Sequence, residues 1–447
     1  MKRTLFIVLS CLCIGWGAQS QEIQRQWSLE ECIRYAIDHN IDIRQRKLQK
    51  DNAEIDLNTT KMSRLPNLNA GMGQSWSFGR SNNNLTGIYE NRSSSNSSFS
   101  ISSSTPLFTG FRIPNEIERD KLNLQAAVQN LEKAKEDLSL QVANLFLQVL
   151  FNKEILKINE EQLNFSTEQI TRTEVLVDAG KVPRSQLYDI KAQAAKDELS
   201  VVQARNNLEL SLLDLAQSLE LESTENFDVS EPQTPDVIEA YMQSVIPPDA
   251  VYDHAVHVKP AVKEQEFRVE SSKKEVKIAQ AGYMPTLSLS LGYNNNYFYN
   301  YKSDNNTSFA DQIKNNGGEN IGLSLSIPIF NRFQVRNRVR SARLGILNQE
   351  LILENVKKTL YKEIQTAYLN AVSSQEKYRS SEKAVEASRE SFKYAEERYG
   401  VGKSSVFEFN EAKTKLLQSQ SEQIQAKYDY IFRAKILDFY NGIPIKL

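Results

Sequence analysis

The side chains that could bind a metal or act in catalysis are few in this sequence. Histidine occurs only at His39, His254 and His257. The last two have a spacing that could suit a metal, but no third ligand lies near them in the sequence, and zinc sites need three or four ligands. The chain also lacks the P-loop, GxSxG and HExxH motifs. We therefore expect a protein that is not an enzyme and that has no metal site and no cofactor.

The cysteines and the N-terminus indicate an exported protein. Two basic residues precede an apolar run, 5–14, and small residues follow it, which is typical of a secretory signal peptide over residues 1–20. Lipidation of Cys11 is an alternative for this segment. Once the signal is removed, Cys32 is the one cysteine left, so no internal disulfide can form. The amphipathic sequence around Cys32 predicts a small buried residue.

The charge balance and the apolar content exclude two classes of protein. The 54 Lys and Arg residues balance 56 Asp and Glu residues, so the net charge gives no reason to expect a nucleic-acid partner. Beyond the signal there is no run of about 18 apolar residues, so we expect no transmembrane α-helix.

The sequence is duplicated. Pro106 and Gly180 recur within similar segments as Pro328 and Gly402, both at a shift of 222 in the numbering. The shift is 219 for the segment 65–66, so the second copy has three extra residues ahead of Pro328. A spacing kept over this distance indicates a rigid repeated unit. We predict a signal peptide (1–20), a first repeat (21–221), a linker (222–249) and a second repeat (250–447).

Alternating apolar and small polar residues predict two strands in each copy. The clearest runs are 286–293 and 321–327. We place the strands at about 66–78, 97–107, 285–299 and 319–330, with exposed polar loops over 79–98 and 294–320. These strands could form the wall of a transmembrane β-barrel or a soluble hairpin packed on helices, and alternation alone leaves both open.

Helices account for the rest of each copy. Residues 115–178 contain no Pro or Gly and predict a helix roughly 96 Å long. Its apolar residues form a heptad seam that recurs in the second copy at the same shift of 222, which predicts coiled-coil packing. A glycine turn ends each long helix. The shorter helices are predicted at 29–61, 185–219, 250–281 and 407–439.

These features, in this order, resemble the TolC-like outer-membrane efflux protein family. The resemblance rests on Ser28-Leu-Glu-Glu, the segment 36–40, Leu65-Pro-Asn-Leu, Pro106-Leu-Phe-Thr-Gly-Phe and both glycine turns. It implies a mostly α fold with a small β part. In that fold, two tandem repeats of long coiled-coil helices carry two strands each and trimerise into a periplasmic α-barrel and a twelve-stranded outer-membrane β-barrel.

The resemblance also implies a function and partners. A homotrimer in the outer membrane of a Gram-negative bacterium would contact outer-membrane lipid and extend into the periplasm. It would passively conduct substrates from a periplasmic adaptor (membrane fusion) protein and an inner-membrane pump to the outside. The segment 222–249 would belong to an equatorial belt. The alternative is a non-transporting periplasmic coiled-coil scaffold protein.

Two functional sites follow from the same resemblance. The glycine turns would contact the adaptor through Ala179, Gly180, Lys181, Val401, Gly402 and Lys403. The family carries acidic residues six and nine positions after the second glycine, at the narrowest point of the entrance, and these correspond to Glu408 and Glu411.

The entrance departs from the family pattern at two positions. Where the family closes the entrance with an acidic residue, a tyrosine and an arginine, this chain has Gln186, Tyr399 and Ser404. Only the tyrosine is kept, so this chain lacks the two charged residues with which the family closes the entrance. We expect hydrogen bonds, or other residues such as Arg184 and Arg398, to take its place.

Overall fold

The computed structural model describes residues 25–82, 87–231, 247–303, 305–443 and 445. Long helices run from a four-stranded sheet at one end to two glycine turns at the other. The predicted signal peptide, Cys11 and part of the predicted linker, 232–246, lie outside the described residues.

The first copy consists of helices, a strand pair and a helical hairpin, flanked by two short strands that pair in parallel. Its elements are β1 (Arg25–Trp27), α1 (Leu29–His39), α2 (Ile41–Met62), β2 (Asn69–Asn82), β3 (Tyr89–Phe108), α3 (Arg112–Asp178), α4 (Arg184–Ser218) and β4 (Phe227–Val229).

The second copy follows the same order. Its elements are α5 (Pro248–Val258), α6 (Pro260–Gln280), a 3₁₀ turn (Ala281–Tyr283), β5 (Thr286–Asn300), α7 (Phe309–Asn315), β6 (Gly318–Ser326), α8 (Gln334–Gly400) and α9 (Val406–Tyr440). The helices α3 and α8 both have 67 residues, and α4 and α9 both have 35. Helix lengths therefore repeat along with the sequence.

The same backbone chemistry ends both long helices. Gly180 and Gly402 have φ angles of 67° and 73°, in the left-handed region that glycine adopts without steric cost. In each turn the next residue donates its N–H to a carbonyl five residues back, at 2.9 Å from Lys181 and 2.8 Å from Lys403. These bonds satisfy carbonyl groups at the helix end and fix the direction of the returning chain.

The opening helix of each copy, predicted as one piece over 29–61 and 250–281, is broken in two. In the first copy, Asn40 Oδ1 accepts a hydrogen bond from the backbone N–H of Asp42 at 2.9 Å and caps a new helix. In the second copy, Pro260 is the first residue of α6. Its ring removes the N–H that would continue the preceding helix.

The four long strands form an antiparallel sheet in the order β2-β3-β5-β6. Gly71 lies opposite Ser100, and their counterparts Ser290 and Gly322 lie opposite each other. The two hairpins therefore share one register. The three extra residues of the second copy lie in the connection between β5 and β6.

The strands β2 and β3 reach further into the first predicted loop than expected, so that loop is shorter. Residues 79–82 and 89–98, predicted as loop, belong to β2 and β3. Strand alternation places Ser94, Asn96 and Ser98 on the face that carries Gly73, and Ser93, Ser95 and Ser97 on the opposite face. Within the second predicted loop, 294–320, β5 continues and α7 follows. Gln312 of α7 bonds to both the N–H and the C=O of Phe298 at 2.9 Å, which holds the connection on the strand.

Prolines limit the outer ends of two strands. β2 begins at Asn69 rather than near 66, and β6 ends at Ser326 rather than near 330. Pro66 and Pro328 lie in these margins. A proline has no N–H to donate to a neighbouring strand, which disfavours extending the ladder through Pro66 and Pro328. Pro106 does lie within β3, where the register shifts beside it.

The two faces of the sheet differ in polarity. One face carries Ser, Gly and Asn: Gly71, Gly73, Ser75, Ser77, Ser98, Ser100, Ser102, Ser288, Ser290, Gly292, Asn294 and Ser324. The opposite face, called here the apolar face, carries Met72, Trp76, Phe78, Phe99, Ile101, Leu287, Leu289, Leu291, Ile321, Leu323 and Leu325, and among them the polar residues Gln74, Ser95, Ser97, Ser103, Asn295 and Glu319. Several of its members are largely exposed, such as Met72 at 80% and Ile321 at 78%. The single chain therefore leaves this apolar face uncovered.

The helices pack along the predicted seam. Leu138 and Val142 of α3 and their counterparts Leu360 and Ile364 of α8 are buried. Cys32 is fully buried, as predicted, and burial raises the pKa of its thiol to about 12. In the part of the chain that the structure describes, no helix combines the length and the apolar character needed to cross a membrane. The core is thus a narrow seam between polar helices.

Candidate functional site

The two glycine turns lie together at the end of the helices that is remote from the sheet. The six residues predicted to contact an adaptor are all exposed there: Ala179, Gly180, Lys181, Val401, Gly402 and Lys403. A Cβ atom added at either glycine would meet nothing within 4 Å. The chain itself therefore leaves this surface uncovered.

One hydrogen bond joins the two turns. The side-chain amide of Gln186, at the start of α4, donates to the hydroxyl of Tyr399, near the end of α8, at 2.7 Å. The Tyr399 ring stacks on Phe409 of α9 with ring centroids 4.8 Å apart. This neutral bond lies where the sequence predicts a hydrogen bond in place of the charged residues that close the entrance in the family.

Local hydrogen bonds hold Glu408 in the first turn of α9. Ser405 caps the helix by accepting the Glu408 backbone N–H at 3.2 Å. The Glu408 carboxylate accepts a hydrogen bond from the Ser404 hydroxyl and lies 3.8 Å from the Arg398 guanidinium. The Ser404 hydroxyl, helped by Arg398, lowers the pKa of Glu408. Glu411 is exposed three residues later, so both side chains lie on the same side of α9.

A buried polar cluster lies deeper in the bundle, and sequence reasoning missed it. The Lys413 ammonium group donates to Ser166 Oγ at 2.6 Å and to Asp197 Oδ2 at 3.1 Å. Asp197 also accepts from the Gln193 amide at 2.9 Å. Lys413, Asp197 and Ser166 are 4%, 6% and 2% exposed. The cluster ties α9 of the second copy to α3 and α4 of the first.

Aromatic rings surround this cluster. The Lys413 ammonium group lies 5.3 Å from the centre of the Phe165 ring, a cation–π distance. Phe165 also contacts Phe392 and Phe409, with ring centroids 5.8 and 6.1 Å apart. Burial lowers the pKa of Lys413, and the charge of Asp197 opposes that shift. The ion pair is therefore shielded from water on the side of the rings.

The cluster has no charged equivalent in the other copy. At the shift of 222, Ser166 and Asp197 correspond to Ser388 and Ser419, whose hydroxyl groups bond to each other at 3.0 Å. Lys413 corresponds to Lys191, which instead makes an exposed ion pair with Glu174 at 2.8 Å. The copies thus share the helix positions but differ in the chemistry placed on them.

A signal for this cluster was present in the sequence. The buried positions of α4 include 190, 194, 197 and 201, with steps of four, three and four. Asp197 occupies one of these four buried positions, and Ile, Ala and Val occupy the other three. A charged residue on an apolar seam needs a buried partner, because an unpaired buried charge is costly. The helix pattern could have predicted a partner, although not its identity.

His39 makes local contacts. His39 Nδ1 lies 2.9 Å from the backbone oxygen of Tyr35, and the two rings stack at 3.9 Å. Within the described ranges, no group of three or more His, Cys, Asp or Glu side chains is placed to hold a metal ion. The candidate site therefore consists of exposed turns, two acidic side chains and hydrogen bonds.

Comparison with known proteins gives a family match and related sequences. The family described as "Outer membrane efflux protein" matches residues 32–220 and 251–439. Outer membrane protein TolC of Escherichia coli strain K12 is 22% identical over 442 residues, which cover 96% of this chain and 84% of that protein.

Solved structures share the fold. The CmeC outer membrane channel of Campylobacter jejuni has a TM-score of 0.74 at 17% identity and covers 99% of this chain and 94% of its own. The open state of the Neisseria gonorrhoeae MtrE outer membrane channel has a TM-score of 0.73 at 17% identity, covering 94% and 90%. Both matches span nearly the whole chain, so the helices and the sheet belong to one shared architecture.

Replacing Lys413 should destabilise the helical region far more than replacing Lys191. Lys413→Ala leaves the Asp197 carboxylate buried without its partner, a loss of about 3–5 kcal/mol. Lys191→Ala removes only an exposed pair and should change stability little. Denaturant unfolding of the two variants in detergent, followed by circular dichroism, compares them directly. Equal losses of unfolding free energy in the two variants would contradict the proposal that the buried pair of Lys413 and Asp197 holds the three helices together.

Proposed function

Since the chain belongs to the outer membrane efflux protein family, we propose that three copies of it form a passive exit duct fed by a periplasmic adaptor and an inner-membrane pump. The protein is an outer-membrane efflux component. Its sequence contains no nucleotide-binding motif, so the energy for transport comes from the pump.

The two-faced sheet is the observation that carries this proposal. Its apolar face suits lipid, and its Ser, Gly and Asn face suits a water-filled channel. A sheet of four strands has two free edges, which cannot face lipid because their N–H and C=O groups would lack partners. Three copies supply twelve strands, enough to close a barrel around an aqueous duct.

The same apolar face argues against a soluble coiled-coil scaffold. Met72, Trp76, Phe78, Ile321 and Leu323 are each at least 60% exposed in the chain. A sheet face with so many exposed apolar side chains marks a membrane or protein interface. The alternative function therefore leaves the sheet without a role.

The long helices suit the part of the duct below the membrane. Each of the two longest has 67 residues, so it extends about 100 Å. That is roughly three times the thickness of a bilayer core. Their charged and polar faces would line or surround water, and the glycine turns would lie at the periplasmic tip.

Glu408 and Glu411 would form two acidic rings at that tip, one residue from each of three chains. Like charges arranged around a narrow pore attract cations and repel anions. Within each chain, Ser404 and Arg398 lower the pKa of Glu408, whereas repulsion among the three carboxylates of a ring would raise it.

Purified protein provides the main test. We expect it to fractionate with the outer membrane, to need detergent, to run as a trimer and to conduct ions in planar bilayers. A freely soluble periplasmic species without conductance would overturn the duct and favour the scaffold.

Changing the tip lysines should weaken binding of the adaptor. Lys181→Glu with Lys403→Glu reverses the charge of both exposed turns, and we expect less adaptor in a pull-down while the trimer stays intact. Lys302→Glu with Lys314→Glu, in the connection between β5 and β6, serves as the control because it makes the same charge change away from the tip. Unchanged adaptor binding in the tip variant would remove these turns as the contact surface.

Neutralising the two acidic rings should abolish block of the duct by multivalent cations. In bilayer recordings, Glu408→Gln with Glu411→Gln should lose the block, whereas Glu319→Gln, near the opposite end of the chain's long axis, should keep it. Ser404→Ala removes the group that most lowers the pKa of Glu408, so its carboxylate should protonate, and its share of the block should disappear, at a higher pH. Block that persists in the double variant would show that the rings lie elsewhere.

A further inference from the structure

We propose that the segment entering α8 binds anionic phospholipid headgroups in the periplasmic leaflet of the outer membrane. The binding surface, called here the arginine collar, consists of Arg332, Arg336, Arg338, Arg340 and Arg343. The inference rests on the proposed function, because it takes the sheet to span the membrane and the helices to begin beside its periplasmic leaflet. It adds a lipid of defined charge to that arrangement.

The collar carries five positive charges and no negative one. Neither Asp nor Glu occurs between Glu319 and Glu350, the stretch that contains all five arginines. All five residues are exposed. Within the part of the chain that the structure describes, no ion pair joins any of them to an Asp or Glu. Lys277 adds a further positive charge from the last turn of α6, which packs beside the start of α8.

The first copy shows that the fold itself does not require this charge. At the shift of 222, residues 110–121 occupy the positions of the collar. Arg119 pairs there with Asp120 at 2.8 Å and with Glu275 at 2.9 Å. The segment contains three basic and three acidic residues: Arg112, Arg119, Lys121, Glu116, Glu118 and Asp120. The same part of the fold is therefore neutral in one copy and strongly basic in the other.

The stability of α8 does not explain the collar. The first turn of the helix contains no acidic residue, and cations near the start of a helix are opposed by its dipole. Arg336 and Arg340 are also four residues apart, a spacing at which like charges repel. Negative groups outside the chain would offset both repulsions.

An exposed aromatic pair identifies the side of the chain on which the collar begins. Phe330 and Phe333 are 72% and 56% exposed, and their rings meet edge to face with centroids 5.7 Å apart. Aromatic side chains of this kind occur where the wall of a barrel meets the headgroups. The Arg336 guanidinium lies 5.7 Å from the centre of the Phe333 ring, a cation–π distance. Arg336 therefore lies on the side that faces lipid.

Helix geometry keeps three arginines on that side. Arg336, Arg340 and Arg343 follow one another at steps of four and three, so they share one side of α8. Val335 and Val339, which pack on α6, lie on another side. The three arginines span about 10 Å along the helix. Long arginine side chains can reach from there into a headgroup layer that is roughly 5–8 Å thick.

The chemistry of the guanidinium group favours a particular lipid. Arginine donates two parallel hydrogen bonds to phosphate oxygens. Phosphatidylglycerol has a net negative charge, whereas the ammonium group of phosphatidylethanolamine balances its own phosphate. Each basic side chain beside an anionic membrane surface changes the affinity about fivefold. The collar should therefore prefer phosphatidylglycerol.

Lipid titration into the detergent-solubilised full-length protein tests the site. Native mass spectrometry measures how much phosphatidylglycerol or phosphatidylethanolamine stays bound. The wild type should bind phosphatidylglycerol more tightly, and the preference should weaken as salt is added. Arg336→Gln with Arg340→Gln and Arg343→Gln should lower the affinity for phosphatidylglycerol by up to about 100-fold and leave the affinity for phosphatidylethanolamine unchanged.

A second triple variant on the same helix is the matched control. Lys383→Gln with Arg389→Gln and Lys393→Gln also removes three exposed positive charges, at least about 60 Å further along α8. It should keep the preference for phosphatidylglycerol. A collar variant that keeps the preference, or a control that loses it equally, would overturn the lipid site.

Recordings in planar bilayers separate the lipid site from the duct. Because the three arginines are exposed and face lipid, the collar variant should conduct ions as the wild type does. A collar variant that keeps its lipid preference but alters the ratio of anion to cation conductance would place the arginines in the lumen. That result would overturn the lipid site and leave the duct standing. A wild-type protein that never conducts would overturn the duct and the lipid site together.

Discussion

The backbone at the two free edges of the sheet constrains everything else in this molecule. β2 and β6 each present unpaired N–H and C=O groups beside an apolar face. In lipid each unpaired group costs several kcal/mol, so the edges must be joined. In the proposed duct, strands from further copies of the chain join these edges, and the closed ring positions the helices so that their polar faces enclose water.

The helices draw their stability from neighbours rather than from their own cores. Along α3 and α8 the buried positions form a seam that is often small, as at Ala367 and Ala371. Such a seam brings helices close without a large apolar interior. The Lys413, Asp197 and Ser166 cluster departs from this plan, because it places a charge where a small apolar residue would pack. A buried pair of this kind gives little net stability but penalises any arrangement that separates its members.

Local chemistry decided which features the sequence could predict. The glycine turns at Gly180 and Gly402 were predictable because the left-handed conformation is a property of one residue. The extent of β3 was not, because a run of Ser and Asn reads as a loop until a neighbouring strand pairs with it. The Lys413 cluster depends on three helices meeting at one level. The two acidic side chains at 408 and 411 came from family resemblance, and their assembly into rings stays a prediction.

The equal length of α3 and α8 has a consequence for how such a chain can change over evolution. Each helix follows a phenylalanine, Phe111 or Phe333, whose backbone has the left-handed conformation, and each runs for 67 residues. Deleting one residue from either helix would shift its tip by about 1.5 Å and rotate it by about 100°. The two hairpins would then end at different levels and present different sides. Insertions and deletions in these two helices can therefore survive only as matched pairs in both copies, preferably in steps of seven, whereas a substitution at an exposed position changes neither the level nor the direction of the tip.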